Sequence, residues 1–358
     1  RYGDPLPPGA VMRLGTVRFR QGDGIGAAVY SPDGKTLATA GDGGVIRLWD
    51  AATGRQVAAF QQGESTTFIR SLAFSPDGKT LAAAGCNFDE TARKALATEL
   101  ICWDVAKGRA TLSIPAGHDP NNNERDFFGL AYSPDGKWLA AGTYEKVRLW
   151  DAATGKESTS IELKLESITT LAFSPDGRTL AWAGTNGDAA LWDMASGKGL
   201  RKLQGHKSIV RELAFRPDGK LLAAGYDDAT VGLWDPATGE EIRRLKGDKG
   251  EVHSVAFSPD GKVLASAGGT SEPIRLWDPA TGEGKVELQG PHNIVNYIAH
   301  VVFAPDGKTL AAADRDGTVY LWDPATGKPV SAADEHEGCI LSLIHISEPT
   351  RQAEISYA

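Results

Sequence analysis

Leu221-Leu-Ala-Ala-Gly-Tyr-Asp-Asp-Ala-Thr-Val-Gly-Leu-Trp-Asp-Pro-Ala-Thr-Gly239 contains most of the information that decides the fold. Leu221-Leu-Ala-Ala224 is a short run of small apolar residues, Thr230-Val-Gly-Leu-Trp234 is a second, and an acidic turn separates them. Such a pair reads as a hairpin buried on both faces. Upstream, Ile209-Val-Arg-Glu-Leu-Ala-Phe215 reaches the turn Arg216-Pro-Asp-Gly219; downstream, Glu241-Ile-Arg-Arg-Leu245 alternates polar and apolar. The unit therefore reads as four antiparallel strands, a to d, with d a half-exposed edge. In the Pro-Asp-Gly turn, proline presets φ and glycine accepts the left-handed conformation. In Asp235-Pro-Ala-Thr-Gly239 the first carboxylate can fold onto the turn's N–H groups.

The same unit recurs along the chain. Trp-Asp pairs begin at Trp49, Trp103, Trp150, Trp192, Trp234, Trp277 and Trp322, with gaps of 54, 47, 42, 42, 43 and 45 residues. A Pro-Asp-Gly turn precedes each of them, at Pro32, Pro76, Pro134, Pro175, Pro217, Pro259 and Pro305. Seven units in strict alternation explain how 358 residues can form one domain rather than two or three. They also explain 42 glycines, 42/358 or about 12% against the roughly 7% typical of proteins. One such sheet cannot bury both faces, whereas seven arranged around an axis can. The expected fold is all-β: a seven-bladed propeller of four-stranded antiparallel blades, closed by an N-terminal strand. Met12–Arg20 is expected to supply it by pairing with the strand that ends at Trp322; Lys328-Pro-Val-Ser331 is the rival, weakened as a ladder donor by Pro329.

The two motifs in register closely resemble the WD-repeat (WD40) family, from Val11 to about Pro329, in its bacterial multi-repeat form. The resemblance implies a rigid platform for protein or peptide partners. It also implies an internal hydrogen-bond set joining a Gly-His histidine, a strand-b Ser or Thr, an Asp of the b–c turn and the strand-c Trp. His206, Asp228 and Trp234 fit it in the fifth unit, with Ala224 at the Ser/Thr position, and His292, Asp316 and Trp322 form a similar group in the seventh. The alternative function is a targeting or regulatory propeller of a larger kinase-like or redox enzyme.

Shared residues hold such a fold, so unshared ones are the candidates for recognition. The a–b and c–d turns fall at one end of the blades and are nearly uniform. The longest insertions fall at the other: the b–c link Gly85–Thr98 and the d–a link Pro115–Asp126, with a smaller one at Gly290–Tyr297. Asp89–Leu96 has the spacing for one or two helical turns, with Glu90 and Lys94 at i,i+4. The partner-binding patch is expected to use Phe88, Arg93, Lys94, Asn121, Asn122 and Arg125, with His292 and Tyr297.

Other chemistry is not expected. A net charge of −8, from 38 Lys+Arg and 46 Asp+Glu, argues against nucleic acid or an anionic membrane surface as partner. No apolar run has the length of a membrane span. Three cysteines without a CxxC pair argue against a structural zinc site. Asp314-Arg-Asp-Gly317 imitates a calcium loop but stands where a b–c turn belongs. Gly41-Asp-Gly-Gly44 lacks the helix start that a phosphate loop needs. The strand-a segments ending at Tyr30, Phe74, Tyr132, Phe173, Phe215, Phe257 and Phe303 read as an apolar channel wall without convergent carboxylates, and the histidines as lying singly in different units. No catalytic residue, metal or cofactor is expected, and the protein reads as a monomeric propeller within a longer chain.

The ends read differently. Residues 1–11 look like an extension whose true start is missing, 12–333 the propeller, and 334–340 the opening of a further repeat. Residues 341–358 resemble a translated sequencing adapter.

Overall fold

The computed structural model describes residues 19–20, 24–63, 67–89, 94–96, 99–115, 127–143, 146–162, 168–203, 207–246, 250–269, 273–288 and 297–330; side chains are described throughout these except at 19, 20, 86–89, 94–96 and 162. The described residues form seven antiparallel sheets in the order a-b-c-d. In the fifth, the strands are Val210–Phe215, Leu222–Tyr226, Thr230–Trp234 and Glu241–Lys246, within a residue or two of the sequence expectation. A single 3-10 turn, Asp42–Gly44, is the sole helical element among them.

The core lies between blades rather than within them. Seven buried clusters occur, each shared by two neighbouring sheets. The cluster formed by Ile25, Leu37 and Trp49 with Ala311, Val319 and Leu321 joins the first blade to the seventh. Strand c of each blade brings its Trp against the preceding blade. Trp150, Trp234 and Trp322 are each 1% exposed, so truncating any of them to alanine would cost about 3–5 kcal/mol. The Pro-Asp-Gly turns repeat this closure at one end of the ring. A Cβ on Gly34 would lie 3.3 Å from Pro305 of the seventh blade, as one on Gly78 would lie 3.6 Å from Pro32.

Strand c of the seventh blade, Thr318–Trp322, is paired at both ends. Phe19 and Arg20 lie opposite Val319 and Thr318, while Pro329 bridges Trp322 and the N–H of Val330 donates to the carbonyl of Leu321 at 2.9 Å. The two segments considered as rivals thus share one strand, and Pro329 stands where no N–H is called for. Residues 12–18, the remainder of the N-terminal candidate, and everything after 330 lie outside the described residues.

The repeated acids act as turn residues. In the first unit Ser31 Oγ donates to Asp33 Oδ1 at 2.7 Å, and the N–H of Lys35 donates to the same oxygen at 3.1 Å. Asp50 Oδ1 takes both the N–H and the hydroxyl of Thr53, each at 2.7 Å. Such bonds stabilise the ionised form and hold both carboxyls below their ordinary range.

One expectation fails in the second blade. The described residues of Asp89–Leu96 are strand rather than helix: strand b runs on through Thr80–Asp89 and pairs with Lys94–Leu96, with Asn87 opposite Leu96 and Asp89 opposite Lys94. Strand a is lengthened in step, to Thr67–Phe74, with Thr67 opposite Asn87 and Phe68 opposite Cys86. Continuing two existing ladders gives the backbone partners at once, whereas a short helix would need a costly new nucleus. The described part of the insertion is therefore a β-ribbon continuing strands a and b beyond the length they have in other blades.

Candidate functional site

Each strand a carries one extra residue near its start. Ile69 lies opposite Gly85 and Ser71 opposite Ala84, leaving Arg70 as a bulge; Val210 and Glu212 flank Arg211, and Val252 and Ser254 flank His253, in the same way. Around the ring the bulge residues are Gly26, Arg70, Gly129, Thr169, Arg211, His253 and Ala299. A bulge re-aims its side chain out of the two-residue alternation. The seven positions lie near the end that carries the b–c turns and d–a links, and they are as varied as the rest of strand a is uniform.

Three of the last blades converge there. Tyr297, on the link into the seventh blade, has its hydroxyl 3.1 Å from Nδ1 of His253, and the rings lie 4.4 Å apart. The guanidinium carbon of Arg315, on a b–c turn, lies 4.1 Å above the Tyr297 ring. Arg211 is held by both oxygens of Asp227, its NH2 group donating to Oδ2 at 2.7 Å, with Glu251 at 3.7 Å. His253 Nε2 is 3.0 Å from Oε2 of Glu251. Burial, aided by the positive charge of Arg211, pushes the His253 imidazole down to about 4, so it is neutral at ordinary pH.

In the fourth, fifth and sixth blades the residue after the bulge stitches one blade to the next. Thr170 Oγ1 accepts the N–H of Leu213 at 3.3 Å, Glu212 that of Val255 at 2.8 Å, and Ser254 that of Val301 at 2.9 Å. His300 Nε2 reaches back across a blade to Glu212, at 3.2 Å. This corrects the reading of the strand-a wall as apolar; the histidines do stand in different units, with His253 on the sixth blade and His300 on the seventh. That reading rested on the Leu-Ala-Phe stretches and passed over the residues before them, where Arg70, Arg211, Glu212, His253 and His300 stand. The signal was present: these are the positions at which otherwise copied strands differ.

Of the expected site residues, Tyr297 is in this cluster. Phe88 and Lys94 belong to the ribbon, paired through their backbones with Ala95 and Asp89. Arg93, Asn121, Asn122, Arg125, His206 and His292 lie outside the described residues. Asp228 accepts the Thr230 hydroxyl at 2.6 Å, and Asp316 is on the exposed b–c turn of the seventh blade. Asp314 Oδ1 takes the N–H groups of Asp316 and Thr318, at 3.0 and 2.8 Å, which is the work of a turn. Among the described residues no group of three or more His, Cys, Asp or Glu could hold a metal.

The strand-c tryptophans depend on strand b for a partner. Trp49 Nε1 donates to Thr39 Oγ1 at 2.8 Å, and Trp277 Nε1 to Ser266 Oγ at 2.9 Å. In the fifth blade, where Ala224 has no hydroxyl, Trp234 donates instead to the Tyr226 hydroxyl at 3.2 Å. Gly232 permits this, since a Cβ there would lie 3.0 Å from the Tyr226 ring.

Comparison with known families agrees with this architecture. The model of the WD domain, G-beta repeat (WD40), matches residues 15–50, 54–93, 112–151, 158–193, 197–235, 239–278 and 285–323, one match per blade. The chain belongs to the WD40 family. Curated relatives of this WD40 chain include a guanine nucleotide-binding protein subunit beta of Oryza sativa subsp. indica, 28% identical over 178 residues, which is 46% of this chain and 43% of the relative. A periodic tryptophan protein 2 homolog of Dictyostelium discoideum is 25% identical over 161 residues, 44% of this chain and 16% of the relative. The WD repeat-containing protein SL1-17 of Schistosoma mansoni is 31% identical over 97 residues, 27% and 30%. The chain thus spans less than half the length of each of these relatives. WD40 propellers are typically protein-interaction scaffolds and are generally non-catalytic.

Proposed function

We propose that this WD40 propeller is a non-catalytic scaffold that binds a protein or peptide partner on the end bearing the b–c turns and d–a links. One contrast carries the reading. The Pro-Asp-Gly end repeats the same turn in every blade, with Asp33, Asp77, Asp135, Asp176 and Asp260 each bonded to its own Ser and the N–H two residues on. The opposite end holds the differing bulge residues, the β-ribbon and the aromatic–guanidinium contacts. Specificity requires difference, and rigid scaffolds carry it on their connections. Tyr and Arg are also the residue types that anchor protein interfaces. The negative net charge fits a protein partner better than a polyanion.

Affinity capture followed by mass spectrometry tests this. Replacing Phe88 and Arg93 together, and separately Tyr297, should deplete captured partners, while Lys79→Glu and Lys107→Glu on the opposite end should not. Capture that is indifferent to the first set and lost with the second overturns the assignment of the face.

A further inference from the structure

Arg70, the bulge residue of the second blade, is exposed. Its guanidinium carbon lies 5.5 Å from the centre of the Phe68 ring and 5.2 Å from that of Phe128, on the next blade. Several other guanidinium groups are neutralised: Arg148 by Glu157, Arg216 by Asp218 and Arg244 by Glu241. Arg211, at the same bulge position in the fifth blade, is closed off by Asp227 and Glu251. Among the described residues no carboxylate meets Arg70. Its place is also prepared from below. A Cβ on Gly26, the bulge residue of the first blade, would lie 2.9 Å from the Phe68 ring, so that ring rests on bare backbone.

A cation over aromatic faces is held by the ring quadrupole and keeps its N–H donors for another partner. Those donors form a fork that matches a planar carboxylate bidentately. Phosphoryl groups on peptides are met by clusters of arginines, and the comparable Arg211 is already neutralised. We infer that Arg70, framed by Phe68 and Phe128, anchors the side-chain carboxylate of a glutamate or aspartate in an extended partner peptide. The inference rests on the proposed binding face. It adds the chemistry: an acidic residue at the roots of the ribbon and of the 116–126 link, with an apolar neighbour on the exposed ring surface.

The test uses arrayed short neutral peptides bearing a central glutamate beside leucine, with glutamine and phosphoserine counterparts, probed with the full chain. The glutamate peptides should be retained over the glutamine ones, and Arg70→Ala and Arg70→Gln should each weaken retention about tenfold or more. Arg70→Lys should recover only part, because the fork is lost. Arg244→Ala, on an outer strand, should change nothing. Overlapping thermal melts establish that the Arg70 variants are folded. Equal binding of glutamine peptides, a preference for phosphoserine, or retention by Arg70→Ala overturns the inference. Partner capture that depends on Phe88 and Arg93 but not on Arg70 overturns it while leaving the proposed scaffold role intact. Capture independent of all three overturns both.

Discussion

Glu212 and His300 stand on strands two blades apart, yet Nε2 of His300 lies 3.2 Å from Oε1 of Glu212. The other carboxylate oxygen accepts the N–H of Val255 on the blade between them, at 2.8 Å. One side chain therefore links three successive blades. Burial by itself would lower the His300 imidazole; the charge and hydrogen bond of Glu212 outweigh it, and His300 stays protonated above its ordinary range.

The NMR titration of His300 should accordingly have its midpoint above that of a free histidine. Glu212→Gln keeps an acceptor for Val255 but removes the charge, so burial alone should then bring the midpoint below the free value. The stability that the pair contributes is fully present below the unfolded histidine value near 6.5 and is lost as pH rises through the higher folded value. An unchanged midpoint in Glu212→Gln would mean that the pair does not set the titration.

Among the described residues, Trp103 and Trp322 are buried with no partner for the indole N–H. In register, Ala83 and Ala312 occupy the places from which Thr39 and Ser266 serve Trp49 and Trp277. Ala312→Ser should satisfy Trp322 and stabilise the protein by about 1 kcal/mol. Ser266→Ala should do the reverse, costing about 1–3 kcal/mol by stranding the Trp277 N–H. Urea unfolding followed by tryptophan fluorescence measures both; a destabilised Ala312→Ser would show that the cavity lacks room for the hydroxyl.

Ala229 has φ of 65°, in the left-handed region, at the turn position that glycine holds in Gly187 and Gly317, where φ is 81° and 78°. A Cβ in that conformation costs about 1–2 kcal/mol, and glycine returns part of the gain through its freer unfolded chain. Ala229→Gly should therefore raise stability by about 1 kcal/mol. A lower urea midpoint would contradict this.

These devices differ in how far the sequence exposed them. The blades were legible because Trp49 to Trp322 and the Pro-Asp-Gly turns repeat in phase, and each turn enforces its own geometry. The ribbon was not. Glu90 and Lys94 have helical spacing, but the strands already running through Leu81 and Leu72 offered a cheaper continuation. The channel rim was hidden for another reason. A one-residue bulge breaks the alternation from which facing is inferred, so Arg70 and His253 could not be placed by counting in twos. Nor does sequence separation reveal that His300 meets Glu212, because contact across a blade depends on ring geometry. Tyr297 was singled out because it closes an irregular insertion.

His253 supplies a pH dependence opposite in sign to that of His300. Its ring faces Arg211, Asp227, Glu251, Tyr297 and Arg315, and burial followed by the charge of Arg211 pushes it down to about 4. The unfolded chain takes up a proton near 6.5 that the folded protein refuses until about 4. Its contribution to stability is complete above 6.5 and falls away as the pH drops through that window. Between pH 7.5 and 5 the expected loss is about 2 kcal/mol. His253→Asn removes the titration, so its urea midpoint should fall less over the same interval than that of the wild type, His300 contributing equally to both. Parallel slopes for the wild type and His253→Asn would show that His253 titrates alike in both states. The Tyr297 contact would then be too loose to keep the ring dry.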